Sequence, residues 1–160
     1  MGDIETVIGN KNFYGTELRK KGNIDIERLH KEVAAWFSKY KYFFNEKDMT
    51  SWDQTQGREQ KIVWIASRKI DSYFRFHIEI QILVYRWLNE KAEITMGFKG
   101  YLEKDYRNFF EKYGKLGIGL RNLYEDLVID DKIQKLKRKV LFETSEVIDE
   151  AKKSLSFTTR

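Results

Sequence analysis

Residues 73–87 read YFRFHIEIQILVYRW and alternate almost without a break. One side carries Phe74, Phe76, Ile78, Ile80, Ile82 and Val84. The other carries Tyr73, Arg75, His77, Glu79 and Gln81, then turns apolar at Leu83, Tyr85 and Trp87. Period-two alternation over this length is the signature of a strand with one buried face. The continuous apolar side predicts a floor on which helices pack.

The neighbouring segments extend the sheet. KIVWIASRKI, residues 61–70, is rich in β-branched residues, and AEITMGFKGYLE, residues 92–103, alternates through Ile94, Met96 and Phe98. KYFFNEKDMTSW, residues 41–52, reads as a first strand leading into a loop, with DQTQGREQ, residues 53–60, as a turn. Asp71-Ser72 is the expected two-residue turn between the second and third runs, although it lacks the glycine that such turns prefer. That turn sets Arg68 opposite Arg75, Trp64 opposite Glu79, and Val63, Ile65 and Ser67 opposite Ile80, Ile78 and Phe76. On this register the outer face divides. Arg68, Arg75, His77 and Glu79 form a polar candidate site. Trp64, Tyr85 and Trp87, with Ile62 and Leu83, form a candidate partner patch. Two opposed arginines repel unless an anion sits between them.

Helical periodicity brackets the strands. Asn23 or Asp25 can cap a helix over 25–40 whose stripe is Ile26, Leu29, Val33, Trp36, Phe37 and Tyr40. Tyr106, Phe109, Phe110 and Tyr113 suit a helical segment, GKLGIG, residues 114–119, predicts a break, and Leu116, Ile118, Leu120, Leu123 and Leu127 resume an apolar pattern. A final helix over 131–155 carries Ile133, Leu136, Val140, Leu141, Val147, Ile148, Ala151 and Leu155. Residues 1–22 read as a loosely held arm, or a short strand near NFYGTEL, closed by Arg19, Lys20 and Lys21. The fold class is therefore α+β: an antiparallel three- to four-stranded meander packed against an N-terminal helix and long C-terminal helices. The predicted core gathers Phe76, Ile78, Ile80, Val63, Ile65, Leu29, Val33, Val140 and Val147.

At 160 residues the chain suits a single domain, 1–160. It has no cysteine, which removes disulfides, thiol nucleophiles and thiolate metal sites, and suits a cytoplasmic setting. With no proline there is no Pro-rich recognition segment. No apolar run is long enough to predict a membrane span, and MGDIETVIGNKNFYG lacks the pattern of a secretory signal. Met-Gly with Thr6 meets a myristoylation spacing, but that motif is short and common. The formal net charge is +5 and the isoelectric point about 9.2, which permits an anionic partner.

Motifs for chemistry are sparse. His77 has the side chain whose ordinary titration best suits acid–base work, and Glu79 shares its face, but no nucleophile is placed beside them. His30 reads as a boundary residue of the first helix. GKLGIG matches no phosphate-loop pattern, and the acids near Asp130 lack calcium-loop spacing. No catalytic residue, metal site or cofactor is expected. KIQKLKRK, residues 132–139, holds five cations in eight positions, and Lys132, Lys135, Arg138 and Lys139 share one helix side. With Arg19, Lys20 and Lys21 they form the candidate nucleic-acid-binding set.

VWIASRKIDSYFRFHIEI, residues 63–80, followed by YLEKDYRNFFEKYG, residues 101–114, resembles small uncharacterised archaeal proteins of helix–meander–helix layout over about residues 25–150. That resemblance carries no active residues to transfer. The reading is a non-enzymatic binding module contacting RNA or a ribonucleoprotein through the basic helix strip. The alternatives are an adaptor or homodimer using the aromatic sheet patch, and a carrier with an apolar cavity between sheet and helix, as in helix-grip folds.

Overall fold

The computed structural model describes residues 3–6, 16–88 and 91–156. Its elements in chain order are β1 (Asp3–Thr6), β2 (Thr16–Gly22), α1 (Ile26–Lys39), β3 (Phe43–Gln54), β4 (Gly57–Lys69), β5 (Phe74–Trp87), β6 (Ala92–Lys104), a 3₁₀ turn (Glu111–Tyr113), α2 (Gly114–Leu127) and α3 (Asp130–Ser156). The fold is α+β with an antiparallel sheet. None of its described helices is long and apolar enough to cross a membrane.

The sheet is wider than a three- or four-stranded meander. β3 to β6 form a four-strand meander, and β1 and β2 both pair with the free edge of β6, β2 along Ala92–Phe98 and β1 along Tyr101–Lys104. Five columns of strand result. The segment expected to be a loose arm therefore supplies edge strands. Arg19–Lys21 belong to β2, while residues 7–15, including most of NFYGTEL, lie outside the described residues. The turn expected over 53–60 shrinks to Thr55-Gln56, because Gln54 already pairs with Gly57.

The β4–β5 connection decides which side chains are inside. It is not a two-residue turn. Lys69 pairs with Arg75 and the Ile70 N–H donates to the Phe74 carbonyl, leaving residues 71–73 as a three-residue loop. Asp71 closes it by accepting hydrogen bonds from the backbone N–H of Tyr73 at 2.8 Å and Phe74 at 2.9 Å, an aspartate-built turn that needs no glycine. The register slips by one residue relative to the expected pairing, and a one-residue slip turns every side chain of a strand over. Trp64 lies opposite Ile80, Ala66 opposite Ile78 and Arg68 opposite Phe76, on the inner face. Val63, Ile65 and Ser67, expected on the inner face, are on the outer face, opposite Gln81, Glu79 and His77; Val63 is buried there, as expected, but Ile65 is only partly covered.

The inner face is the floor. Phe74, Phe76, Ile78, Ile80, Ile82 and Val84 of β5, with Ile94, Met96, Phe98 and Leu102 of β6, are fully buried with Leu29, Val33 and Phe37 of α1 and Val140, Val147 and Ala151 of α3. α1 starts as expected, with the Asp25 side chain accepting from the Arg28 N–H at 3.0 Å. α3 turns Ile133, Val140, Glu143, Thr144, Val147 and Ile148 inward. Leu141, expected inward, is instead exposed, because the buried stripe passes through Glu143 and Thr144. At Gly100 the helix lies so close that a Cβ would overlap the Thr144 hydroxyl. α3 thus packs directly on β6 at this point.

Candidate functional site

α2 is built inside out. GKLGIG is its first turn and a half, not a break. Gly114 has φ 59°, the left-handed value that reverses the chain out of the 3₁₀ turn. Gly117 is buried, and a Cβ there would overlap the Phe110 carbonyl oxygen, so the loop before the helix folds onto it. Asp105 organises that loop by accepting from the Phe109 N–H at 2.7 Å.

The side of α2 turned to its own protein is polar. Glu125 is buried; it accepts from the Tyr73 hydroxyl at 2.5 Å and from the Lys104 ammonium at 2.7 Å, with the Arg121 guanidinium 3.5 Å away. Burial first, then this bond to Glu125, raises the Tyr73 phenol well above its ordinary pKa, so it stays a donor. One turn or two from this ionic anchor stand the leucines. Leu116, Leu120, Leu123 and Leu127 are 71%, 42%, 57% and 75% exposed. Their 4-3-4 spacing is that of the a and d positions of a coiled-coil seam. Phe109, Phe110, Tyr113, Tyr124 and Val128 stand beside the seam and complete an open apolar groove. Soluble surfaces rarely leave so continuous an apolar strip bare unless something docks on it.

The polar candidates split. Arg68 is inside. It donates to both carboxylate oxygens of Glu143 at 2.8 and 2.9 Å and to the Tyr40 carbonyl at 2.8 Å, while its guanidinium lies over the Tyr42 ring at 4.6 Å. The Tyr42 hydroxyl also donates to Glu143. Burial, followed by that carboxylate, pushes the Tyr42 phenol pKa up. This cluster ties β4 to α3, and the expected clash between Arg68 and Arg75 does not arise.

Arg75, His77 and Glu79 remain together on the outer face. His77 Nε2 is 2.6 Å from Glu103, and its ring stacks on Tyr101 at 4.8 Å; Arg75 is 3.6 Å from the same carboxylate and packs over the Tyr106 ring at 4.3 Å. Burial, then Glu79 and Glu103, raise the Tyr101 phenol to about 12. Ser67 pairs with His77 across β4–β5, but no hydrogen bond joins them. The imidazole is engaged in a cross-strand ladder that supplies no nucleophile. His30 sits at the edge of the core against Phe44 and Trp64.

The aromatic patch loses its centre. Trp64 is 1% exposed, with its indole N–H donating to Glu46 at 3.2 Å. Tyr85 and Trp87 stay on the outer face, half-buried and in edge contact at 4.7 Å.

The basic set divides too. Lys132 is held by Asp71 at 2.6 Å and lies over the Phe74 ring. Lys135, Arg138 and Lys139 are exposed on α3. Arg19 bonds Glu17 and Lys21 approaches Glu93. Arg19 pairs with Thr95, whereas Phe74, under Lys132, pairs with Lys104. Nine residues of strand, about 30 Å, separate the positions of Arg19 and Lys132.

The signal missed in the sequence is the 4-3-4 leucine spacing, hidden by treating its glycines as a break. No family model matches the chain, and no curated protein matches it.

Proposed function

We propose that this protein is a non-enzymatic interaction module that docks a protein helix in the groove along α2. The observation that carries this is the orientation of α2: polar Glu125, Arg121 and Gly117 inward, Leu116, Leu120, Leu123 and Leu127 outward. Fully burying one leucine is worth about 1.5–3 kcal/mol, and among the described residues that gain is left largely unused. A helix laid in the groove captures it by the groove-and-anchor mode of helix recognition. The cysteine-free chain suits a cytoplasmic module.

The test is fluorescence anisotropy of a labelled, uncharged helical peptide with leucines at the same 4-3-4 spacing. Saturable uptake by the wild type and none by Leu123→Glu supports the reading. A protein that neither takes up the peptide nor self-associates through the leucines overturns it.

A second reading, contact with nucleic-acid phosphates, is favoured by the exposed cations Lys135, Arg138 and Lys139. Changing all three to Gln should make the log–log salt dependence of RNA or DNA binding shallower by up to about three units. An unchanged slope leaves them as a solvated helix face.

A further inference from the structure

We infer that the helix taken up by the α2 groove is α2 of a second copy of this chain, paired antiparallel about a two-fold axis. The inference rests on the helix-docking reading and adds the identity of the occupant.

The seam is its own complement. A two-fold axis passing beside the midpoint of Arg121 and Asn122 sets Leu120 opposite the partner's Leu123 and Leu116 opposite the partner's Leu127. The 4-3-4 spacing reads the same in both directions, and antiparallel helices pack a positions against d positions in this way. A contact whose patch complements itself closes as a dimer and goes no further.

Gly119 points the same way. A glycine inside a helix is unfavourable, and at Gly117 the Phe110 carbonyl explains it. At Gly119 nothing among the described residues, beyond its own helix backbone and chain neighbours, lies within 4 Å of where a Cβ would stand, so none of them requires a glycine. On this two-fold Gly119 flanks the seam on the same side as the partner's Gly119 and the partner's Asp126, and the missing side chain lets the two helices approach closely there.

Charge fixes the direction. Lys112, in the 3₁₀ turn beside Glu111, and Lys115 lie around the start of α2, and Asp126 and the first residue of α3, Asp130, lie around its end, all exposed. Antiparallel pairing brings the basic end of each helix to the acidic end of the other. Parallel pairing would bring like charges together. The aromatic rings of Phe109 and Tyr113, beside the seam, are then covered from one side by the incoming helix.

Sedimentation equilibrium from about 1 to about 100 µM tests the inference with four chains. The wild type should dimerise, and Leu120→Glu/Leu123→Glu should raise the dissociation constant by at least about 100-fold. Lys112→Glu/Lys115→Glu and Asp126→Lys/Asp130→Lys should each dimerise weakly alone and strongly when mixed, because mixing restores opposite charges at both ends. A wild type monomeric throughout the range overturns the inference, as does a dimer indifferent to the leucine substitutions. Charge variants that pair no better mixed than alone also overturn it. A monomer that still takes up the uncharged leucine peptide overturns the second copy as occupant and leaves helix docking standing.

Discussion

Gly117 of α2 lies against the Phe110 carbonyl, with no space between them for a side chain. That contact, with the Glu125 anchor, seats α2 with its leucines facing away from the core. Gly117→Ala should force the 110–113 loop off the helix, an overpacking change costing about 1–3 kcal/mol. Hydrogen exchange should quicken across 111–127 before the rest of the chain responds. Unaltered exchange in α2 would mean the seat is not where its orientation is set.

The inner and outer faces of the sheet make separate predictions. Ile80→Ala removes a fully buried side chain opposite Trp64 and should cost about 2–5 kcal/mol. Ile65→Ala acts on the outer face and should cost less than half as much. Equal costs in urea unfolding would contradict the register.

Most of the frame was legible in the sequence. The alternation of Phe74 to Val84 marks β5 and its buried side, Asp25 starts α1, and the Ile133-to-Leu155 periodicity traces α3. The β4 side was not legible, because alternation shows that a strand has two faces but not which turn joins it to the next. Val63 and Ile65 are as apolar as Ile62 and Trp64, so only the Asp71 turn decides between them. The start of α2 was missed for a related reason. Glycine usually breaks helices, and whether Gly117 breaks one or receives a carbonyl depends on where Phe110 lies. The Arg68–Glu143 pair was equally out of reach, since it joins residues distant in sequence that meet only after α3 docks.

That buried pair should behave non-additively. Removing one partner strands a charge, so Glu143→Gln or Arg68→Met alone should cost about 3–5 kcal/mol. Arg68→Met combined with Glu143→Leu should cost less than the two single changes together, as measured by a double-mutant cycle in urea. Additive costs would show that the two side chains act independently.

Asp71 makes a prediction in pH. Burial alone would raise its carboxyl pKa, but the hydrogen bonds from Lys132 and from the Tyr73 and Phe74 N–H groups outweigh it and hold the group below its usual 3.8. A folded-state pKa below the unfolded one adds stability above the unfolded value and loses it as pH falls through the folded value. The wild type should therefore lose its stability advantage over Asp71→Asn as pH drops from about 5 towards 2. Parallel stability curves for the two proteins over that range would contradict the assignment.

The outward leucine face is tested most directly by the urea unfolding free energy of Leu120→Glu/Leu123→Glu at low protein concentration, where association does not contribute. Leu120 is 42% and Leu123 57% exposed in the folded chain, so the variant should match the wild type within about 0.5 kcal/mol. A loss of several kcal/mol would show that these leucines belong to the core, and would contradict the orientation of α2 on which the account rests.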